Sequence, residues 1–344
     1  MGQSNKQIPQ TILLLLAMLL LDLPHTVHAQ ETGNALSELK DAKFPKQTYA
    51  LLPKLLEVNY GVIGAQDYHL RGPDGQKIDY HQSAMTFWSL GGKTPLFHRF
   101  KTYRIFLNIH YVEGEGNISR LQYNHEPEHI DGLNKLSNAL LGLDFFHKLQ
   151  WHNHDVVVRG GLSFSGPAFF QNDLYSASVM AFYSLKSETD KHISVGVMAI
   201  SSTASPFLMI PFFLYNTQWS PSMQLNLLLP GSAEVKYFRR TNCYFSGGMK
   251  LNDDWPTLMH LGNNALLPRD VELRQFGAMA YTQMECQLKG MLWLGIETGY
   301  RHSFSMRMIP SGKSRNDYLF KGNGIHGPYI QFSLFMRPVL HFKR

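Results

Sequence analysis

The feature that most constrains this chain is a side-chain period of two, recurring from about residue 55 to the C-terminus. Within 291–301, Leu292, Leu294, Ile296, Thr298 and Tyr300 fall on one side of an extended backbone. Met291, Trp293, Gly295, Glu297, Gly299 and Arg301 fall on the other. Successive strand side chains point to opposite faces, so one face here is greasy and the other mixed. The division repeats. Val156, Val158, Leu162 and Phe164 oppose Asp155, Arg159 and Ser163, and Ala139, Leu141, Leu143 and Phe145 oppose Asp144 and Lys148. Ile105, Leu107, Ile109 and Tyr111 oppose Arg104, Asn108 and His110, and Ala177, Val179, Ala181 and Tyr183 oppose Ser176, Ser178 and Ser184. A slip of one residue would turn each set to the wrong solvent, so register is well specified. Segments of about ten residues with this alternation are the signature of a transmembrane antiparallel β-barrel.

Fourteen segments carry the pattern: 55–65, 78–90, 102–112, 138–149, 155–164, 176–185, 193–202, 208–218, 223–229, 233–238, 243–251, 272–288, 291–303 and 327–340. With the N-terminus on the periplasmic side, the connections 66–77, 113–137, 165–175, 203–207, 252–271 and 304–326 fall outside. The inner turns become 91–101, 150–154, 186–192, 219–222, 239–242 and 289–290. Long loops at one end and short turns at the other are what outer-membrane barrels show. Pro230-Gly231 is a tight turn on the long-loop side and implies a short hairpin over 223–238. Without that hairpin the count falls to twelve and the parity of the other loops survives. A secreted β-sandwich is the rival fold; it buries its greasy faces between two sheets.

Residues 1–29 read as a signal peptide. Lys6 precedes an apolar run over 12–21, too short to span a bilayer, and Val27-His28-Ala29 fits small-x-small cleavage before Gln30. Residues 30–54 are polar and irregular, a periplasmic extension ahead of a barrel over 55–344. Mean hydropathy is only −0.20, because barrel strands give half their residues to lipid. Aromatic residues make up 12% of the chain and suit the girdles at the two bilayer surfaces. The net charge of +6 is dispersed among acids, which argues against nucleic acid and suits lipopolysaccharide and outer-membrane lipid as partners.

The stretches Tyr215-Asn216-Thr217-Gln218-Trp219-Ser220-Pro221, Leu225-Asn226-Leu227-Leu228-Leu229-Pro230 and Val235-Lys236-Tyr237 resemble outer-membrane β-barrel families of Gram-negative, Bacteroides-type bacteria with no assigned function. In those families a strand, Trp and turn precede an aliphatic strand ending in Leu-Pro or Phe-Pro, with a Tyr soon after. The resemblance implies fold and location and brings no catalytic residues. The final strand, with Ile330, Phe332, Leu334, Met336, Leu340 and Phe342 on one face, looks like the signal read by the barrel-insertion machinery. Lys343 and Arg344 follow where those barrels usually end on an aromatic residue.

Candidate chemistry is sparse. Outer-membrane lipid hydrolases place His and Ser two apart on one strand, so that the imidazole can deprotonate the hydroxyl. His81-Gln82-Ser83 fits that spacing near the outer rim, and with Tyr80, Ala84, Trp88 and Leu90 toward lipid, His81 and Ser83 point inward. His192-Ile193-Ser194 repeats it at the periplasmic end. With 16 histidines, chance matches are expected. His125-Glu126-Pro127-Glu128-His129 gathers metal-ligating types, although Pro127 breaks the helical metalloprotease spacing. His152-Asn153-His154-Asp155 is similar, and for both a solvated loop is the simpler reading. No cofactor is expected. Cys243 and Cys286 fall together on the lipid face at the periplasmic end, as bridged cysteines or as two free thiols.

The interior set carries more weight. Glu57, Arg104, Asp144, Lys148, Arg159, Lys250, Glu285, Glu297, Arg301 and Arg337 point inward, with Phe106, Met279 and Trp293 as constricting bulk. Mixed charges give either a salt-bridged closed interior or a narrow aqueous path. Three functions stay open: passage or binding of small solutes, lipid hydrolysis by His81 and Ser83, and a surface or adhesive role for loops 113–137 and 304–326.

Overall fold

The computed structural model describes residues 54–338 apart from 74, 76, 100–102, 117, 122–126, 130–134, 153, 167–173, 189, 203–204, 241, 261–269, 311–312, 314–315 and 324–325. The strands in chain order are β1 (Leu56–Ile63), β2 (Gln66–Arg71), β3 (Lys77–Gln82), β4 (Met85–Arg99), β5 (Tyr103–Glu115), β6 (Ile118–Leu121), β7 (Pro127–His129), β8 (Lys135–Trp151), β9 (His154–Gly166) and β10 (Leu174–Ser187). They continue as β11 (Lys191–Ser202), β12 (Ser205–Ser220), β13 (Met223–Leu229), β14 (Ser232–Arg240), β15 (Cys243–His260), β16 (Asp270–Lys289), β17 (Leu292–Pro310), β18 (Phe320–Asn323) and β19 (His326–Met336).

Fourteen of these strands form one closed antiparallel barrel: β1, β4, β5, β8 to β17, and β19. Closure is made by β1 on β19, from Leu56 opposite Met336 to Ile63 opposite Tyr329. A single closed sheet leaves no free sheet-on-sheet face and removes the sandwich alternative. The hairpin at Pro230-Gly231 is two true strands, Leu228 opposite Ser232 and Met223 opposite Tyr237. The count is therefore fourteen and not twelve. The short connections gather at one end of the barrel with Lys54 and Arg337, and the long ones at the other. Gly290, with φ at 54°, makes the 290–291 turn of the kind a left-handed glycine allows. Residues 1–53, including the signal-peptide and extension expectations, lie outside the described residues, as do Leu340 and Phe342.

One strand sits elsewhere than expected. The second wall strand is Met85–Arg99, not 78–90, and 91–99 is strand, not an inner turn. Gly91 and Gly92 read as a turn, yet they pair with Glu57 and Leu56 on one side and with His110 and Ile109 on the other. Glycine inside a strand marks close approach: a Cβ on Gly91 would sit 3.3 Å from the His110 ring. Residues 77–82 instead form a hairpin with β2 beyond the wall, and this hairpin pairs onward with β18 and β6.

The two faces sort as the alternation requires. Val58, Leu143, Phe145, Leu162, Phe164, Val179, Val195, Val197, Leu292, Leu294, Ile330, Phe332 and Leu334 form an exposed apolar belt. On the other face, ion pairs skip a strand: Lys93 of β4 meets Asp144 of β8, and Lys250 of β15 meets Glu297 of β17. Side chains converge only on the concave side of a closed sheet, so this is the inner face.

Candidate functional site

The interior has three sectors. Over β15 to β1, near the short-turn end, it is filled. Tyr244, Trp293 and Phe335 are buried together, with Trp293 stacked on Phe335 at 6.2 Å. Arg337 lies over the Phe335 ring at 4.9 Å, pairs with Glu285 at 2.8 Å, and donates to the Tyr244 hydroxyl at 3.1 Å. The Tyr244 hydroxyl in turn donates to Glu285. Lys54 bridges Glu57 at 2.5 Å and Glu285 at 3.2 Å. Glu285 and Arg337 side chains are 2% and 6% exposed, so Arg337 depends on Glu285 for its counter-ion, while Glu285 is held by both Arg337 and Lys54. Higher in the same sector Glu297 takes Lys250 at 3.3 Å and the Tyr329 hydroxyl at 2.7 Å. Tyr281 donates to Glu234 at 3.1 Å. Arg301 faces inward opposite Met279.

Over β4 to β9 the interior is polar and more open. Asp144 pairs with Lys93 at 2.8 Å and Asp155 with Lys148 at 2.8 Å. Arg104 and Arg159 flank Phe146 on neighbouring strands, their guanidinium carbons 5.3 and 5.4 Å from its ring centre. Both acids here are taken by lysines. Among the described residues neither arginine is within ion-pair distance of an acid; Arg159 feels the charge of Arg104 and, in the opposite sense, that of Asp144. This is a fixed positive site on the inner face.

Over β10 to β12 the inner face turns apolar. It carries Met180, Phe182, Met198, Ile200, Leu208, Ile210, Phe212 and Leu214, whose partners across the ladders share that face. Phe182 meets Phe212 edge-to-face at 4.7 Å. Gly196 makes the room, because a Cβ there would fall 2.5 Å from the Phe212 ring.

The candidate catalytic pair is not in the wall. His81 lies on β3, and its Nδ1 is 2.6 Å from Asp67 across the exposed hairpin; His69 and Asp79 repeat this at 2.8 Å. The inward orientation expected for His81 and Ser83 is thus corrected: it assumed one continuous strand over 78–90, and the chain breaks at Ser83-Ala84. The second pair does meet, Ser194 Oγ lying 2.9 Å from His192 Nε2. Ser194 is 1% exposed and also shares its hydroxyl with Ser184 at 3.3 Å, which makes it a rung of the wall with no space for substrate. His125 lies outside the described residues, as does the side chain of His129. His154 is the first residue of β9, and its Nδ1 is 2.9 Å from the Ser184 carbonyl. Cys243 and Cys286 stand directly opposite in register and are disulfide-bonded.

Sequence reasoning missed Lys54, Lys93, Glu234, Tyr244, Tyr281 and Tyr329. Lys93 was hidden by the Gly-Gly turn signal, and the tyrosines fall at inward positions of strands already assigned.

No family profile matches the chain, and no curated protein matches it. Among solved structures it is similar to an outer membrane channel from Pseudomonas putida F1, at 8% identity and TM-score 0.34, covering 83% of this chain and 95% of that one. It is also similar to the transport unit of the autotransporter AIDA-I from Escherichia coli, at 11% identity and TM-score 0.35, covering 90% and 99%. A third is OccAB3 from Acinetobacter baumannii, at 8% identity and TM-score 0.24, covering 82% and 98%. No activity follows from likenesses this distant.

Proposed function

We propose that this barrel sits in a bacterial outer membrane, its chain ends toward the periplasm, and passes or binds small anionic solutes along the β4 to β9 side of its interior. The observation that carries this is the Arg104–Phe146–Arg159 site, two cations outside any ion pair among the described residues, on an inner face where Asp144 and Asp155 are paired with lysines. An exposed apolar belt on the opposite face supports the membrane setting. The filled sector on β15 to β1 narrows the interior, so the path is small. Lipid and lipopolysaccharide would surround the belt, and the amphipathic β19 would be presented to the insertion machinery.

Reconstitution in planar bilayers tests this. Folded protein is expected to give small, anion-selective steps, and Arg104→Ala with Arg159→Ala to shift the reversal potential toward cations. Silent membranes with wild type and double variant alike, or unchanged selectivity, would refute it.

A further inference from the structure

Two wall strands are short, β1 with eight residues and β13 with seven. A tilted strand needs about nine to eleven residues to cross the hydrocarbon. Above β1 the wall is continued by β2, β3 and β18, which pair with one another and with β17. Among the described residues no strand continues it above β13. Pairing of β12 with β13 stops at Phe213 opposite Leu229, and pairing of β14 with β15 stops at Ser232 opposite Lys250. The rest of β12, 205–212, is held by β11 alone. The far end of β15 does not lean back toward β12; it crosses to β8, Leu258 opposite Ser137 and Met259 opposite Leu136. Two strand edges thus face a gap in the wall at its long-loop half. Pro211 on one edge and Pro256 on the other fit edges with no ladder to feed. Open edges do not face lipid unless they border a cavity.

On the β12 edge the side chains are apolar on both faces, while the β15 edge carries the sequence Asn252-Asp253-Asp254. Phe207 and Met209, outward, are 62% and 57% exposed, and Leu208, inward between them, is 48% exposed. Inward from Leu208 the surface runs through Ile210 to Phe212, then by the edge-to-face contact to Phe182. Arg159 lies over that Phe182 ring at 5.6 Å and leads to Phe146 and Arg104. An apolar track therefore joins the bilayer side of the gap to the two arginines outside any ion pair.

We infer that the gap admits a single-chain anionic amphiphile from the outer leaflet: its hydrocarbon chain lies along Leu208, Ile210 and Phe212, and its carboxylate or phosphate head meets Arg104 and Arg159. The inference deepens the anionic-solute reading by naming the substrate class, and rests on its arginine site but not on conduction. A long tail suits the track, whereas a hydrophilic anion gains nothing from it.

The test uses full-length barrel in dioleoylphosphatidylcholine vesicles, with heat-modifiability on gels as the check of folding. Two photoprobes are used, a fatty acid and a lysophosphatidylglycerol, each with a diazirine in its single chain, and labelled residues are read by mass spectrometry. The expected result is labelling at inward Leu208, Ile210 and Phe212 as well as outward Val195 and Phe213. Inward labelling should be competed by laurate but not by acetate or dodecyltrimethylammonium, and lost in Arg104→Ala/Arg159→Ala. Labelling by the fatty acid alone identifies a free acid as ligand, and labelling by both probes extends the site to single-chain phospholipids; either supports the shared chemistry. Inward positions unlabelled beside labelled outward ones would overturn the gap. Inward labelling undiminished in the double variant would overturn the arginine head site. Absence of label at Val195 and Phe213 would overturn the membrane reading beneath both.

Discussion

The interior over β15 to β1 and the interior over β10 to β12 are opposite solutions for the same barrel. The first stacks Tyr244, Trp293 and Phe335 under a paired Arg337 and Glu285, with Lys54 drawn in beside them. The second has no charge on its inner face from Met180 to Leu214, and its wall is left open above β13. Buried ions hold a place only when each has its partner, so the first sector is rigid by necessity. Apolar side chains facing a gap demand no partner, so the second is free to exchange neighbours with lipid. A closed sheet does not impose one interior on all its strands.

The sharpest way to break this contrast is Arg337→Ala. It removes the closer of the two cations paired with buried Glu285 and is expected to cost about 3 kcal/mol, read as a lower urea midpoint for loss of the folded gel band. Replacing both partners, Arg337→Leu with Glu285→Leu, should recover most of that loss. A single variant as stable as wild type would mean the pair does not hold the sector. Phe212→Ala removes a ring seated on Gly196 and Phe182 and should cost roughly 3 kcal/mol. Leu208→Ala, two turns of the pleat nearer the gap, should cost less than about 1 kcal/mol, because that side chain is already half exposed. Equal losses at the two positions would show the gap to be packed shut. Cys243→Ser with Cys286→Ser should cost about 2 kcal/mol in the same urea series. The ladder on either side already holds these strands, so the barrel should still fold. His81→Ala, at an exposed pair with Asp67, should stay within about 1 kcal/mol of wild type.

Much of this was legible in the chain. Alternation placed all fourteen wall strands, because a one-residue slip is penalised by lipid at every position, although β15 and β17 run on to His260 and Pro310 where outer loops were expected. The strand that moved, β4, carries Gly91-Gly92, whose lack of side chains removes the alternation signal where close packing replaces it. Parity also set Glu57, Asp144, Glu285, Glu297 and Arg337 on the inner face. It could not pair them, since Arg337 reaches Tyr244 across two intervening strands and that depends on the curvature of the sheet. The 207–214 run, Phe-Leu-Met-Ile-Pro-Phe-Phe-Leu, is apolar on both faces and holds a proline. Both marks distinguish a strand with hydrocarbon on each side and a free edge, although only the short β13 beside it shows where the edge lies.

The central claim is that one face of each wall strand meets lipid and the other a polar interior. The most direct measurement is a cysteine scan of β9 in vesicles with a charged methanethiosulfonate reagent. The two native cysteines are bonded to each other and stay silent. Cysteines at Val157, Arg159, Gly161 and Ser163 are predicted to react, while those at Val156, Val158, Leu162 and Phe164 stay protected. Uniform reactivity along the strand, or reaction confined to the second set, would contradict the account.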